Sequence, residues 1–301
     1  MFAPTLNIFS TINIIYYVLK RKTIGILLCL ISLSCATLCN NPTTSDLKKE
    51  IKKIVSLSPS ISRQIIDLQA EELLVGVTSF HPPLKKKITI IGTLIRPNIE
   101  VIYSLQPDIV FFSAEDKNVQ RINSLKKLSV PLFQFKQNRN FKSISENYLM
   151  LAKVINRVTL AKKKINRYSE KIAKLKKNTI KKYKTLILLS LNPLITVGNS
   201  YIHTIIENAG GFNISGTLNR AYPIISKEFI LTKKPEVIIL VNIDKKLFIN
   251  IFKKYMNLIT QKNKIVKIKP HHISYYTPKD YVLAVSLIKN IFLTIDNIEK
   301  K

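Results

Sequence analysis

Few side chains in this sequence are equipped for chemistry, and they are unevenly placed. The three cysteines, Cys29, Cys35 and Cys39, share one apolar run near the start, so nothing beyond Cys39 offers a thiol nucleophile or a structural disulfide. Of the four histidines, His203 lies in a helical stretch and reads as packing or surface, whereas His81 follows a strand and His271 and His272 open "HHISYYTP". That loop adds Tyr275 and Tyr276, so two imidazoles and two phenols, all able to approach a metal centre, are close in the chain. Paired acids at ligand spacing do not accompany the histidines, which argues against a bare metal-ion site. There is no GxSxG, HExxH or phosphate-cradling glycine loop, and with 7 Gly in all the chain is read as a non-enzyme without a resident cofactor.

Two glutamates stand out because the chain repeats their surroundings. "NIEVIYSLQPDIVFF" (Asn98 to Phe112) and "SKEFILTKKPEVIIL" (Ser226 to Leu240) align Glu100 with Glu228, Ile102 with Ile230, Pro107 with Pro235 and Asp108 with Glu236. Asn98 and Ser226 suit a helix N-cap, which puts each glutamate in the first turn, near the positive end of the helix dipole. The proline ends each helix and a buried strand follows. Dipole complementarity alone accounts for a first-turn acid; one projecting carboxylate per copy also suits contact with a two-fold symmetric partner.

These elements need a frame. At 301 residues and 46% hydrophobic the chain is long and apolar enough for two folded units. The net charge of +30 is scattered as lysine pairs between apolar positions, without an arm or aromatic platform for nucleic acid, and is better suited to an anionic membrane surface. Lys20, Arg21 and Lys22 precede "TIGILLCLISLSCATLC", which predicts an export signal over residues 1–39. Cys35, after Ser32, Leu33 and Ser34, is the candidate acceptor of a lipid anchor, and the polar stretch 40–50 reads as a tether.

From residue 51 strand and helix patterns alternate, which predicts an α/β fold with mostly parallel sheets. "IVSL" and "LLVGVTS" are the first strands, with Ser58, Pro59 and Ser60 opening a helix between them. Apolar spacing from Ile144 to about Tyr183, without Gly or Pro, predicts one long helix or two end to end. The expected organisation is therefore a first lobe over 51–140, a connecting helix over 141–183 and a second lobe over 184–301.

The quoted repeats, with "KIVSLSPSISRQI" and "NPLITVGNSYIHTIIENAGGFNIS", make the chain from Ile51 onward resemble the substrate-binding proteins of bacterial ABC importers for cobalamin, haem and iron-siderophores. The resemblance implies two Rossmann-like lobes joined by one long helix, with ligand held between them. It implies a permease dimer with its ATPase subunits as partner, docked through Glu100 and Glu228, and a location in the periplasm or on the cell surface. It also implies that the cleft is lined by Phe80, His81, Arg96, Tyr222, His271, His272, Tyr275 and Tyr276. The cargo would be haem, a ferric siderophore or cobalamin; alternatives are a zinc or manganese importer's binding protein, or a surface lipoprotein that has lost its ligand. The chain has no Trp, although cobalamin binders often use one in the cleft; Tyr222 and His272 stand at such places.

Overall fold

The computed structural model describes residues 50–114, 119–177, 182–259 and 264–300. The expected export signal, the Cys35 acceptor and most of the tether lie outside the described residues. Residues 47–301 form one compact unit, and within it two five-stranded sheets organise the chain.

The first sheet contains β1 (Ile54–Ser56), β2 (Leu74–Val77), β3 (Thr89–Ile90), β4 (Ile109–Ser113) and β5 (Leu132–Phe135), ordered β3-β2-β1-β4-β5 and parallel throughout. Every residue of β4 is buried, as a run of apolar residues covered on both sides requires. Alternate residues feed opposite faces: Ile54 joins the core on one side and Val55 the core on the other. Helices α1 (Pro59–Asp67), α2 (Ile99–Ser104) and α3 (Val119–Lys127) connect these strands.

Of the two possibilities for the linking segment, the chain takes two helices, α4 (Phe141–Val154) and α5 (Val158–Lys177). The break is at Asn156, which adopts the left-handed conformation (φ 54°) and lets the Arg157 N–H donate back to the Ala152 carbonyl at 2.7 Å. Asparagine here does what glycine does at most such helix ends. Helix α4 packs into the first lobe through Tyr148 and Leu151. Helix α5 is the link, with Ala161 buried in the first lobe's core and Ile172 in the second's.

The second sheet contains β6 (Lys184–Leu191), β7 (Leu194–Thr196), β8 (Phe212–Asn213), β9 (Val237–Val241) and β10 (Ile265–Ile268), ordered β10-β9-β6-β7 with β8 also pairing β6. Only β7 runs antiparallel. Helices α6 (Tyr201–Asn208), α7 (Lys227–Lys233), α8 (Lys245–Ile251), α9 (Met256–Ile259) and α10 (Pro278–Glu299) complete the lobe. Helix α10 is long and apolar enough to cross a membrane by length and composition, but it buries Tyr281, Val285, Ile288 and Phe292 in the second core. The fold is thus α/β, with two Rossmann-like lobes of mostly parallel strands and one long connecting helix.

Candidate functional site

The repeat is realised in three dimensions down to the backbone. Asn98 Oδ1 accepts the Val101 N–H at 3.1 Å and Ser226 Oγ accepts the Phe229 N–H at 3.2 Å, so both copies open on the expected cap. Ile102 and Ile230 are fully buried, whereas Glu100 and Glu228 project into solvent from the first turns of α2 and α7. A hydrogen bond from its own backbone N–H, with another from the Ser226 hydroxyl, holds the Glu228 carboxyl below its usual range.

In a parallel sheet every strand ends on one edge, and loops at that edge form the usual ligand crevice. Here a cleft of about 710 Å³ collects residues that follow β1, β2, β3 and β10 together with Ser113, the last residue of β4. Tyr222, just ahead of α7, joins them from the second lobe. Of the residues that the sequence nominated, Phe80, His81, Tyr222, His271, Tyr275 and Tyr276 line this space. Phe80 is 75% exposed and Tyr222 47%, so both rings are presented rather than packed away.

Arg96 and His272 are not among the lining residues. Arg96 is exposed on a tight turn, where its N–H donates to Thr93 Oγ1 at 3.0 Å and its carbonyl accepts the Thr93 N–H at 3.3 Å. His272 stands behind His271, ring edge to ring face with centroids 4.4 Å apart, and its Nδ1 is buried without a protein partner. Burial, then His271 and Lys269, push its pKa below the ordinary imidazole value.

Five serines that no sequence motif marks as ligand contacts also reach the cleft. Ser58, Ser60, Ser79, Ser113 and Ser274 all line the cleft, each at or just after a strand end or within the late loop. The signal was a short polar residue directly after an apolar strand, as in "IVSLS", "GVTS" and "VFFS". Among the described residues, no group of three or more His, Cys, Asp or Glu side chains stands close enough to hold a metal ion.

Helix α1 closes the back of the cleft by bonding across to the second lobe. Ser60 Oγ donates to the Ser274 carbonyl and Gln64 Nε2 to the Tyr276 carbonyl, both at 3.1 Å. Arg63 places both Nε and Nη2 on the Asp280 carboxylate, at 3.3 and 3.4 Å, and its guanidinium lies 5.6 Å from the Tyr275 ring centre. Asp280 is fixed on its other side as the N-terminal partner of Thr277, whose hydroxyl donates to it at 2.6 Å. The aromatic wall is therefore braced from both lobes: Tyr276 meets Tyr201 edge-on at 4.6 Å, and the Tyr201 hydroxyl donates to the Ile273 carbonyl.

Two α/β lobes, one spanning helix and an aromatic, hydroxyl-rich cleft between them define a bilobal ligand-binding protein. The chain belongs to the family described as "Periplasmic binding protein", which it matches over residues 54–267. It is 24% identical over 206 residues to a "Cobalamin-binding protein" of Halobacterium salinarum, covering 65% of this chain and 56% of that relative, so the match spans little more than half of the relative's length. Its fold is similar to that of the "periplasmic Vitamin B12 binding protein BtuF of Vibrio cholerae" (TM-score 0.70, 19% identity, 81% of this chain and 98% of that one). It is likewise similar to the "periplasmic Heme binding protein HutB of Vibrio cholerae" (TM-score 0.71, 18% identity, 80% and 98%).

Proposed function

We propose that this protein is the exported substrate-binding component of an ABC importer, anchored at the membrane through Cys35. It captures a flat metal chelate between its lobes and delivers it to a permease dimer driven by ATPase subunits. The cargo class is an iron complex, haem or siderophore, or cobalamin. One observation carries the reading: six rings, Phe80, His81, Tyr222, His271, Tyr275 and Tyr276, converge on one cleft with five serine hydroxyls between them. Its volume, about 710 Å³, lies within the range of small-molecule and cofactor sites, roughly 300–1,000 Å³. Rings stack on a macrocycle's face while phenol, imidazole and hydroxyl groups meet its polar rim or an axial metal position. Relatives named for cobalamin and for haem support the same class.

Glu100 and Glu228 are the proposed permease contacts. A cleft residue stands six positions before each of them, Leu94 before Glu100 and Tyr222 before Glu228, and this equivalent connection supports giving the two carboxylates the same role. Ionised carboxylates in this arrangement suit charge-assisted, bidentate contacts with arginines. The direct test is titration of the purified chain with haemin, a ferric siderophore and cobalamin, followed by visible absorption and tyrosine fluorescence. One of the three gives a saturable change that weakens in Tyr222→Ala. If a folded sample responds to none of them, the proposed cargo class is wrong.

A further inference from the structure

Acids and cations are arranged differently at the two edges of these sheets. The edge where strands end carries the cleft and the acids at helix starts, Glu100, Glu228, Asp244 and Asp280, interspersed with Lys227, Lys245, Lys246 and Lys279. At the opposite edge, where strands begin, Lys52 and Lys53 precede β1, Lys126 and Lys127 precede β5, and Lys233 and Lys234 precede β9. Helix dipoles favour this partition locally, since cations suit helix C-termini.

Helix α5 cannot be explained that way alone, because its cations start at Lys162, well before its last turn. It starts where α4 has returned to the strand-start edge, a position marked by the 3.4 Å contact of Arg157 with Glu72 just ahead of β2, and it ends shortly before β6. It therefore lies along the edge away from the cleft. Ala161 and Ile172 are buried on its inner stripe, with Ile165, Tyr168 and Leu175 half-buried beside them. Lys162, Lys163, Arg167 and Lys171 are exposed on the outer side, and Lys174, Lys176 and Lys177 extend the series toward the helix end. Glu170 is the one acid in the helix. From Lys162 to Lys177 this makes a straight basic ridge about 23 Å long.

The acids close to this edge are held by hydrogen bonds or an ion pair on the body of the protein. Asp108 and Glu236 accept backbone N–H groups, Asp296 accepts the Tyr183 hydroxyl, and Glu299 pairs with Lys264. On α5 itself seven exposed cations stand against Glu170, so the outer face of the helix is net positive. All but one of its cations are lysines, mobile point charges that suit a diffuse layer of headgroups. A nucleic-acid strand would call for exposed rings to stack its bases. Tyr168 is instead half-buried, with the Lys171 ammonium 5.6 Å from its ring.

We infer that the outer face of α5, with the lysines at the strand starts, docks on an anionic phospholipid surface and holds the cleft turned away from it. That posture opens the cleft to solvent for capture; delivery through Glu100 and Glu228 requires the protein to leave it. The inference goes beyond the ligand and permease reading and fails independently of it.

The test uses the full chain on vesicles of phosphatidylcholine alone or mixed with phosphatidylglycerol. The apolar leader is expected to enter both vesicles, so the readout is the acetylation rate of individual lysines, resolved by mass spectrometry. Lys162, Lys163, Lys171 and Lys174 are expected to react several-fold more slowly on the anionic vesicles, while Lys227 and Lys245 at the cleft edge do not change. The protection disappears in concentrated salt, where the screening length falls to about 3 Å at 1 M. Replacing those four ridge lysines by glutamine removes the remaining protection of Lys176 and Lys177 and leaves ligand titration unaltered. Equal rates on both vesicles, or equal protection at the cleft edge, overturns the inference. Protection by single-stranded RNA without vesicles that matches or exceeds the vesicle effect overturns it in favour of nucleic acid.

Discussion

Asp108 and Glu236 do the same work in the two lobes. Asp108 Oδ2 accepts the N–H groups of Lys52 and Lys53, both at 2.9 Å, and Glu236 Oε2 accepts the N–H of Lys184 at 2.9 Å. Each acid also donates its own N–H to the strand that it holds, Asp108 to the Lys53 carbonyl at 2.9 Å and Glu236 to the Lys184 carbonyl at 2.7 Å. The acid after the repeat proline is thus a clasp on the first residues of a central strand, β1 or β6. Asp108→Ala and Glu236→Ala each leave strand-entry amides without their acceptor, at a cost of about 1 kcal/mol apiece. Because the clasps are in different lobes, the two losses add in a denaturant titration of the double variant.

The residues ahead of the repeat prolines are also matched. Gln106 and Lys234 both take left-handed backbone angles, φ 46° and 47°, to end α2 and α7. A side chain there is strained, by about 1 kcal/mol or somewhat more. Gln106→Gly and Lys234→Gly relieve that strain at the cost of extra freedom in the unfolded chain. The net expectation is a gain of up to about 1 kcal/mol for each, measured as a higher denaturation midpoint with unchanged slope. A lower midpoint in both variants would falsify the strain argument.

How much of this was legible follows from where the signals were. The repeat gave caps, helix ends and buried strands, because Asn98, Ser226, Pro107 and Pro235 act locally. The break between α4 and α5 was hidden, since Asn156 ends a helix here while helical apolar spacing continues past it. Aromatic residues of the cleft announced themselves by type, and six of the eight nominated residues line it. The serines did not, because a hydroxyl after a strand is ordinary until the sheet topology gathers several together. The bond of Gln64 to Tyr276 spans 212 positions, and no local pattern encodes such a pairing.

The interlobe pair of Arg63 and Asp280 has a measurable role. Their side chains are 30% and 11% exposed, so solvent only partly screens them. Arg63→Leu leaves Asp280 with Thr277 alone, and the expected loss is about 1–3 kcal/mol of stability. The same change frees α1 from the second lobe, so amide exchange rises in α1 and in residues 274–277 but not in β4 or β9. Unchanged exchange at α1 would show that the two hydrogen bonds from Ser60 and Gln64 suffice to brace the lobes.

His272 gives the stability of the fold a pH response of definite sign. Its folded pKa lies below the ordinary value of 6.5, chiefly through burial, so the unfolded chain takes up the proton more readily. Stability from this group is complete above pH 6.5 and declines as the solution is acidified from there toward the lower folded pKa. His272→Phe removes the titrating group and flattens that part of the profile, with carboxylate titration following separately at lower pH. Thermal melts between pH 5 and 8 check this, and a wild-type curve that gains stability on acidification contradicts it.

The docking role proposed for Glu100 and Glu228 is separable by experiment from the proposed ligand capture. Both carboxylates are exposed, and neither lines the cleft. Glu100→Ala and Glu228→Ala together are expected to leave the affinity for cargo within about twofold of wild type, since a surface substitution away from a site changes local energies by only ~0.5 kcal/mol. Uptake in a strain that depends on this protein falls at least about tenfold, as loss of charge-assisted contacts from two lobes implies. The single variants should lie between, because one anchored lobe still presents the cleft. Exchange to glutamine discriminates further: it keeps the shape and removes the charge, so an uptake defect as deep as that of the alanines assigns the contact to charge. Normal uptake by the double alanine variant, with binding intact, places the permease contact elsewhere on the molecule.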